Sequence, residues 1–241
     1  MAVKGYKARV FINEFDLSLM TTQFVVENAV NPIAYNVLQS NATSKIAGLS
    51  NQSFGLNGIW TNYGTGTMEK LSIDNLQTDS AKVCYMVETV PPIGGMIDGS
   101  FPSSYNISTP IENLLTLQAK WEKTDSLCQG YFLLNKVTLS ATGNQSGVDF
   151  LSVGSAGGKA YLIISAIAGT ATNAQIKIQS DDNALFSSAA DEGTFTFSAV
   201  GVFELDLTGT VDRYLRANVV TLGGATSFVA TLIIGINGVT Q

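Results

Sequence analysis

Apolar and polar positions alternate along much of this chain with a period of two, the spacing of a half-buried β-strand. Lys7–Ile12 predicts a first strand, and Asn13-Glu14 a turn after it. Phe24–Glu27 and Ser53–Trp60 continue the series; in the second, Phe54, Leu56 and Trp60 fall near one face. Lys82–Glu88 and Tyr131–Leu134 follow. From Lys159 onward the alternation becomes dense. Strands are predicted at Lys159–Ile167, Gln175–Gln179, Thr194–Val200, Val202–Leu207, Arg213–Val220 and Ser227–Ile236, separated by Gly, Asn, Asp and Thr clusters.

One stretch in the first half reads as a helix. Thr67 follows two helix-breaking glycines and can cap Met68, Leu71 and Leu76, which share a rough apolar stripe. Thr109-Pro110 could open a second short helix, with Pro at its first position, or the same run could be a strand entering Trp121. The segment Pro91–Pro102 reads as a long loop. Its apolar residues Ile93, Met96, Ile97 and Phe101 are unusual for a solvated loop and make it a candidate subunit contact, unless it folds back on its own core. The turn-rich Ala141–Gly147 marks a change of character. The expected fold is therefore mainly β: a β-barrel or sandwich domain with one flanking helix over residues 1–145, then a small C-terminal β-sandwich over 146–241.

Composition sharpens the picture. Only 13% of residues are charged, against 45% hydrophobic, and an average globular domain is about 25% charged. A surface of Ser, Thr, Asn, Gln and Gly loses less on desolvation than a charged one, and charge is depleted at interface cores. The composition therefore favours extensive self-association over an ordinary polar sandwich. The net charge is −6, divided as nine basic and eleven acidic residues over 1–145 and four basic and eight acidic over 146–241. No basic nucleic-acid groove is expected, although an acidic chain could line a channel through which DNA slides. No apolar run is long enough for a transmembrane helix. The N-terminus carries no signal-like apolar core, so the Asn-x-Ser/Thr triplets at Asn41, Asn51, Asn106 and Asn144 are read as compositional. Cys84 and Cys128 read as reduced thiols.

Chemistry is sparse. The chain has no histidine, which removes His-dependent nucleophile systems and the usual zinc motifs. Gly154–Ala160 is glycine-rich but lacks the phosphate-loop spacing. Asp181-Asp182-Asn183 and Asp191-Glu192 read as surface turns without calcium-loop spacing. A carboxylate pair for glycoside hydrolysis needs so little sequence that it stays open. The aromatics read as core rather than as a sugar or base platform. Arg213 and Arg216 fall on alternate faces of one strand, and one is expected to pair with Asp206 or Asp212. No catalytic residue, metal or cofactor is expected.

Three stretches resemble a known family. Arg9-Val10-Phe11-Ile12-Asn13-Glu14-Phe15-Asp16-Leu17-Ser18 is similar to the opening of tailed-phage major tail (tail tube) proteins and related virion proteins. Ser44-Lys45-Ile46-Ala47-Gly48-Leu49, leading into the strand Ser53–Trp60, resembles a later segment of the same family. Leu207–Arg216 looks like part of the β domain appended to some phage structural proteins. The resemblance implies a non-enzymatic virion protein, made in the host cytoplasm and stacked in rings as a tail tube through which DNA passes. Its partners would be further copies of itself, as a ring or trimer, and other virion proteins, with no membrane. Candidate interface residues are Val37, Leu38, Ile46 and Leu49 in the stretch Asn28–Leu49, with Ile93, Met96, Ile97 and Phe101 in the second segment. The competing readings are a capsid decoration protein, a carbohydrate-binding adhesion module and a β-fold hydrolase.

Overall fold

A computed structural model describes residues 8–30, 33–36, 43–46, 50–60, 64–75, 80–89, 92–111, 114–123, 128–151 and 153–236. The chain is almost entirely antiparallel β. In order it forms β1 (Ala8–Ile12), β2 (Phe15–Asp16), β3 (Thr21–Val30), β4 (Ile33–Asn36), β5 (Thr43–Ile46), β6 (Ser50–Ile59), α1 (Met68–Asp74), β7 (Ala81–Val87), β8 (Ile93–Ile111) and β9 (Leu114–Lys123). It continues through β10 (Cys128–Leu139), β11 (Gly143–Asn144), β12 (Val148–Asp149), β13 (Gly158–Gly169), β14 (Ala174–Asp181), β15 (Ala190–Phe197), β16 (Gly201–Leu207), β17 (Tyr214–Thr221) and β18 (Ala225–Ile236). The backbone groups into two compact units. One holds residues 1–16, 84–96 and 128–241, and the other 17–83 and 97–127.

In the first unit the strand order is β16-β13-β18-β10-β8-β7-β1-β2, and a second sheet runs β11-β17-β14-β15 with β12 beside β17. β13 alternates its burial between two cores. Ala160, Leu162 and Ile164 enter a sandwich core with Ile176 and Ile178 of β14, Phe195 of β15 and Leu215 of β17. Tyr161 and Ile163 point the other way, into a second core with Phe11, Cys84, Met86, Met96 and Phe132. β18 does the same: Leu232 and Ile234 face the sandwich and Ile233 the second core. A strand covered on both faces needs an unbroken apolar run, which is why Tyr161–Ile164 lacks the polar alternation of β14 in the facing sheet. The sheet must bend to bring Phe11 and Tyr161, from opposite ends of its strand order, into one cluster.

β10 belongs to this sandwich. It pairs with β18 through Tyr131↔Ile234 to Leu139↔Phe228, with a register shift between Leu134 and Val137. Lys136 sits in that shift at φ +51°, and its N–H finds the Thr231 hydroxyl at 3.1 Å instead of a ladder carbonyl. At the opposite end of β10, Gly130 is required by proximity: a Cβ there would lie 1.8 Å from the Ile234 carbonyl oxygen.

The other unit is built on the strand order β3-β6-β9-β8. Phe54 and Leu56 of β6 and Leu117, Ala119 and Trp121 of β9 are buried on one face, in register as Phe54↔Trp121 and Leu56↔Ala119. Helix α1 forms where expected. Thr67 caps it by accepting from Lys70 N–H at 3.4 Å. A Cβ on Gly58 would meet Met68 Cε at 2.6 Å, so the helix seats against a bare backbone position. The Glu69 carboxylate then accepts from Trp60 Nε1–H and, at 2.8 Å, from the Tyr105 hydroxyl.

One sequence expectation is corrected and one open alternative resolved. Pro91–Pro102 is not a long loop, because β8 begins at Ile93 and runs through it. Its glycines signalled turns but serve other ends: a Cβ on Gly94 would lie 2.1 Å from the Tyr85 carbonyl oxygen, and Gly99 takes φ +61°. Pro102 is tolerated at a register shift between Pro102 and Ser104. Of the two readings at Thr109-Pro110, the strand is the one formed, with another shift between Ser108 and Ile111.

Gly130→Ala is expected to cost about 1–3 kcal/mol or more by overpacking β10 against β18. Chemical denaturation of the purified variant measures it.

Candidate assembly surface

The exposed face of the β3-β6-β9-β8 sheet is mostly polar, with Val25 and Phe101 among its apolar members. Because partners in a ladder share a face, the register arranges it in rows. Gln23, Asn57, Gln118 and Asn106 occupy one row, an amide from each strand. Within it, Asn57 Nδ2 donates to Gln23 Oε1 at 3.0 Å. On one side, Thr116 and Ser108 pair in a hydroxyl row, their oxygens 3.0 Å apart. On the other comes Val25, Gly55, Lys120 and Ser104, and then Glu27, Ser53 and Glu122. Members of the middle rows, from Asn57, Gln118 and Asn106 across to Glu27 and Ser53, line a groove of about 590 Å³. Its lysine, Lys120, is held 3.0 Å from Glu122, which raises its pKa through that hydrogen bond. Gly55 forms part of the floor, and a Cβ there would have no neighbour closer than 3.9 Å.

β3 ends this sheet. It is ten residues long and pairs with β6 alone among the described strands. Its sequence, TTQFVVENAV, holds none of the lysines or prolines that blunt an edge. Val25 is 43% exposed on it.

The described candidate interface residues differ in exposure. Met96 is 0% and Ile97 1% exposed, so both side chains are consumed inside the fold. Ile93 is 44% exposed and borders a depression of about 240 Å³ with Tyr85 and Tyr131. Phe101 is half-buried, opposite Glu122. Ile46 lies in β5, which pairs with β4, while Val37, Leu38 and Leu49 lie outside the described residues. The polar rows were legible only as alternation; no sequence pattern gives the register that aligns Gln23 with Asn106.

Other groups singled out in the sequence resolve into structural roles. Arg213 pairs with neither Asp206 nor Asp212. It makes a bidentate bridge to Asp149, both N–O distances 2.7 Å, because β12 lies beside β17 in register Asp149↔Tyr214. Arg216 donates to Gln179 Oε1 at 3.0 Å and stacks over Phe186. Asp181 accepts from Asn183 N–H and Ser188 N–H, at 2.9 and 2.8 Å, as a turn residue does. Among the described residues no group of three or more His, Cys, Asp or Glu is placed to hold a metal. Cys84 and Cys128 are free thiols sharing the second core. Burial pushes Cys84 far above the ordinary thiol range and Cys128 up to about 11. Neither is a thiolate at neutral pH, which leaves them poor nucleophiles. Burial, then the Glu69 carboxylate, pushes Tyr105 up to about 12.

No family model matches the chain, and no curated protein matches it. Among solved structures it is similar to a chain of the PVC sheath-tube complex of an extracellular contractile injection system in the extended state. There the TM-score is 0.41 at 11% identity, over 54% of this chain and 92% of that one. It is similar to the SPP1 tail tube, with TM-score 0.40 at 10% identity over 54% of this chain and 80% of that one. It is also similar to SPP1 Dit, a hub adsorption protein of phages infecting Gram-positive hosts, with TM-score 0.34 at 10% identity over 95% of this chain and 99% of that one.

Two outcomes are expected. Ile97→Asp unfolds the protein, costing about 4 kcal/mol or more for an unpaired buried charge, whereas Ile93→Asp stays within about 0.5 kcal/mol; thermal melts separate them. The second concerns pH. Arg213 holds Asp149 below the usual carboxylate range, and Lys177 does the same for Asp191. Their contribution is therefore complete at neutral pH and is lost as pH falls below about 3.9 and through the lowered folded values. Asp149→Asn is expected to flatten the acid side of the melting-temperature profile.

Proposed function

We propose that this chain is a non-enzymatic virion structural protein that assembles through its sheets into the tail tube along which phage DNA passes. The observation that carries the reading is the β3-β6-β9-β8 sheet. One face is closed by its own core and helix, the other is a polar groove whose charges are Glu27 and Lys120, and its outer strand is long and unprotected. An edge of that kind is an aggregation hazard in a monomer and a bonding element in a ring. The polar face suits passage of DNA because it does not retain it. Phosphate affinity scales with the cations offered, and this face offers Lys120, already engaged by Glu122.

Several parts of the reading belong with it. The protein would be made in the host cytoplasm and reside in the virion, with copies of itself and other virion proteins as partners. Residues 1–145 would carry assembly, and 146–241 would form an appended sandwich that borrows β10. Ile93 is the candidate of the second interface segment that is exposed enough to meet a neighbour. The groove contains no aromatic side chain, which disfavours a sugar platform there.

The test is an edge variant. Wild-type protein is expected to sediment as rings or stacked rings, and Val25→Lys as a folded species of lower mass, because a lysine on an edge strand opposes pairing. Sedimentation velocity and circular dichroism measure the two properties. Unchanged sedimentation of Val25→Lys overturns the role of β3. A discrete trimer in the wild type points instead to capsid decoration.

A further inference from the structure

Both cysteines of the chain and two of its five methionines fall in one cluster. Cys84, Met86 and Met96 are buried in the second core, and Cys128 packs against it. Backbone register puts three of these four sulfurs in a row. Cys128 of β10 pairs directly with Met96 of β8. β7 lies on the other side of β8. There a Cβ on Gly94 would lie 3.0 Å from Met86 Cα, and Lys82 reaches Asp98 at 2.5 Å. Both observations set Met86 beside Gly94 in an antiparallel register, which places Cys84 opposite Met96. Register partners share a face, so thiol, thioether and thiol stand side by side on three adjacent strands.

The two thiols are two strands apart, roughly 10 Å at the backbone. A disulfide needs Cα atoms within about 7 Å, so they cannot join directly, and an atom seated between them can join them. The sheet is concave on this side, because Phe11 and Tyr161 from distant strands share the cluster. That curvature turns the side chains of the row toward one another. Cys128 Sγ rests against the Lys159 carbonyl at 3.9 Å, a weak contact that rotation about one bond gives up. Cys84 and Met96 are 0% exposed and Met86 1%, whereas Cys128 is half-buried. Cys128 is therefore the entrance to the row.

The donor set identifies the ligand's chemistry. Thiol and thioether sulfur favour soft cations, Cu(I) foremost. Zinc takes thiolate, imidazole or carboxylate, four as a rule, and this row offers it two thiols. Charge narrows the choice further. The cluster holds no amine, guanidinium or carboxylate, and a net charge buried there would be costly. A monovalent ion bound to one thiolate is neutral. Cys128, the less buried thiol, gives up its proton as the copper–sulfur bond forms, and one proton leaves for each ion bound. We propose that Cys84, Met96 and Cys128 form a binding site for a soft monovalent cation, Cu(I), with Met86 beside it in the next row. The site is independent of tube formation.

The probe is Cu(I) itself, kept reduced with ascorbate and titrated into the purified full chain in competition with the colorimetric chelator bicinchoninate. One ion per chain is expected, with an all-sulfur environment by X-ray absorption. Bound Cu(I) should also raise the melting temperature, because only the native register assembles the donors. Met96→Leu preserves core volume. It is expected to leave the melting temperature of the metal-free protein nearly unchanged while weakening Cu(I) about tenfold, which separates binding from folding. Cys128→Ser is expected to weaken it by about 100-fold. Unchanged affinity in the Met96→Leu/Cys128→Ser double variant overturns the proposal, since the copper would then be held elsewhere. So does a wild-type chain that takes no copper from the chelator, or one that binds zinc as tightly as Cu(I).

Discussion

The burial of β13 and β18 on both faces is the constraint on which the larger unit depends. Leu162 and Ile163 are adjacent in sequence, yet they belong to different cores. Each strand therefore holds a sandwich together on one side and bends the sheet over Phe11, Met86 and Met96 on the other. Glycines follow from the same constraint. Gly130, Gly158 and Gly235 stand where strands crowd, and a Cβ at any of them would lie 2.5 Å or less from a neighbouring atom. Such positions tolerate no side chain, whereas the open floor at Gly55 does. The contrast separates glycines that build the fold from one that shapes a surface.

The four-stranded sheet follows a different rule. It has a single covered face, so its strands alternate cleanly, and the polar half of that alternation becomes a surface. The low charge of the chain is expressed there as rows of amides and hydroxyls that bond to one another across strands. Asn57 bonds to Gln23, Ser53 to Glu27 and Thr116 to Ser108. A surface satisfied within itself attracts charged polymers weakly.

Much of this was legible in the sequence because local rules governed it. Phe54 and Leu56 announced their face by period two, and Thr67 announced the helix start. The strand expected over Lys159–Ile167 forms as β13, but as an unbroken apolar run at Tyr161–Ile164 rather than by alternation. What was missed depended on long-range register. Met96 and Ile97 looked like loop residues because Pro91, Gly94, Gly95, Gly99 and Pro102 surround them. Those residues are breakers only when nothing pairs with the strand, and β10 pairs through Gly94↔Gly130 and Met96↔Cys128. Arg213 looked toward Asp206 or Asp212 because they were near in sequence, while β12 supplied Asp149 from 64 residues away. The alignment of Gln23 with Asn106 needs three ladders at once and leaves no trace in any single strand.

Assembly into a hollow ring is the central claim, and particle mass combined with negative-stain electron microscopy of the purified full chain tests it most directly. The account predicts closed rings or stacked tubes with a central hole, of a mass equal to a whole number of chains. A monodisperse, solid monomer that persists at high concentration would contradict it.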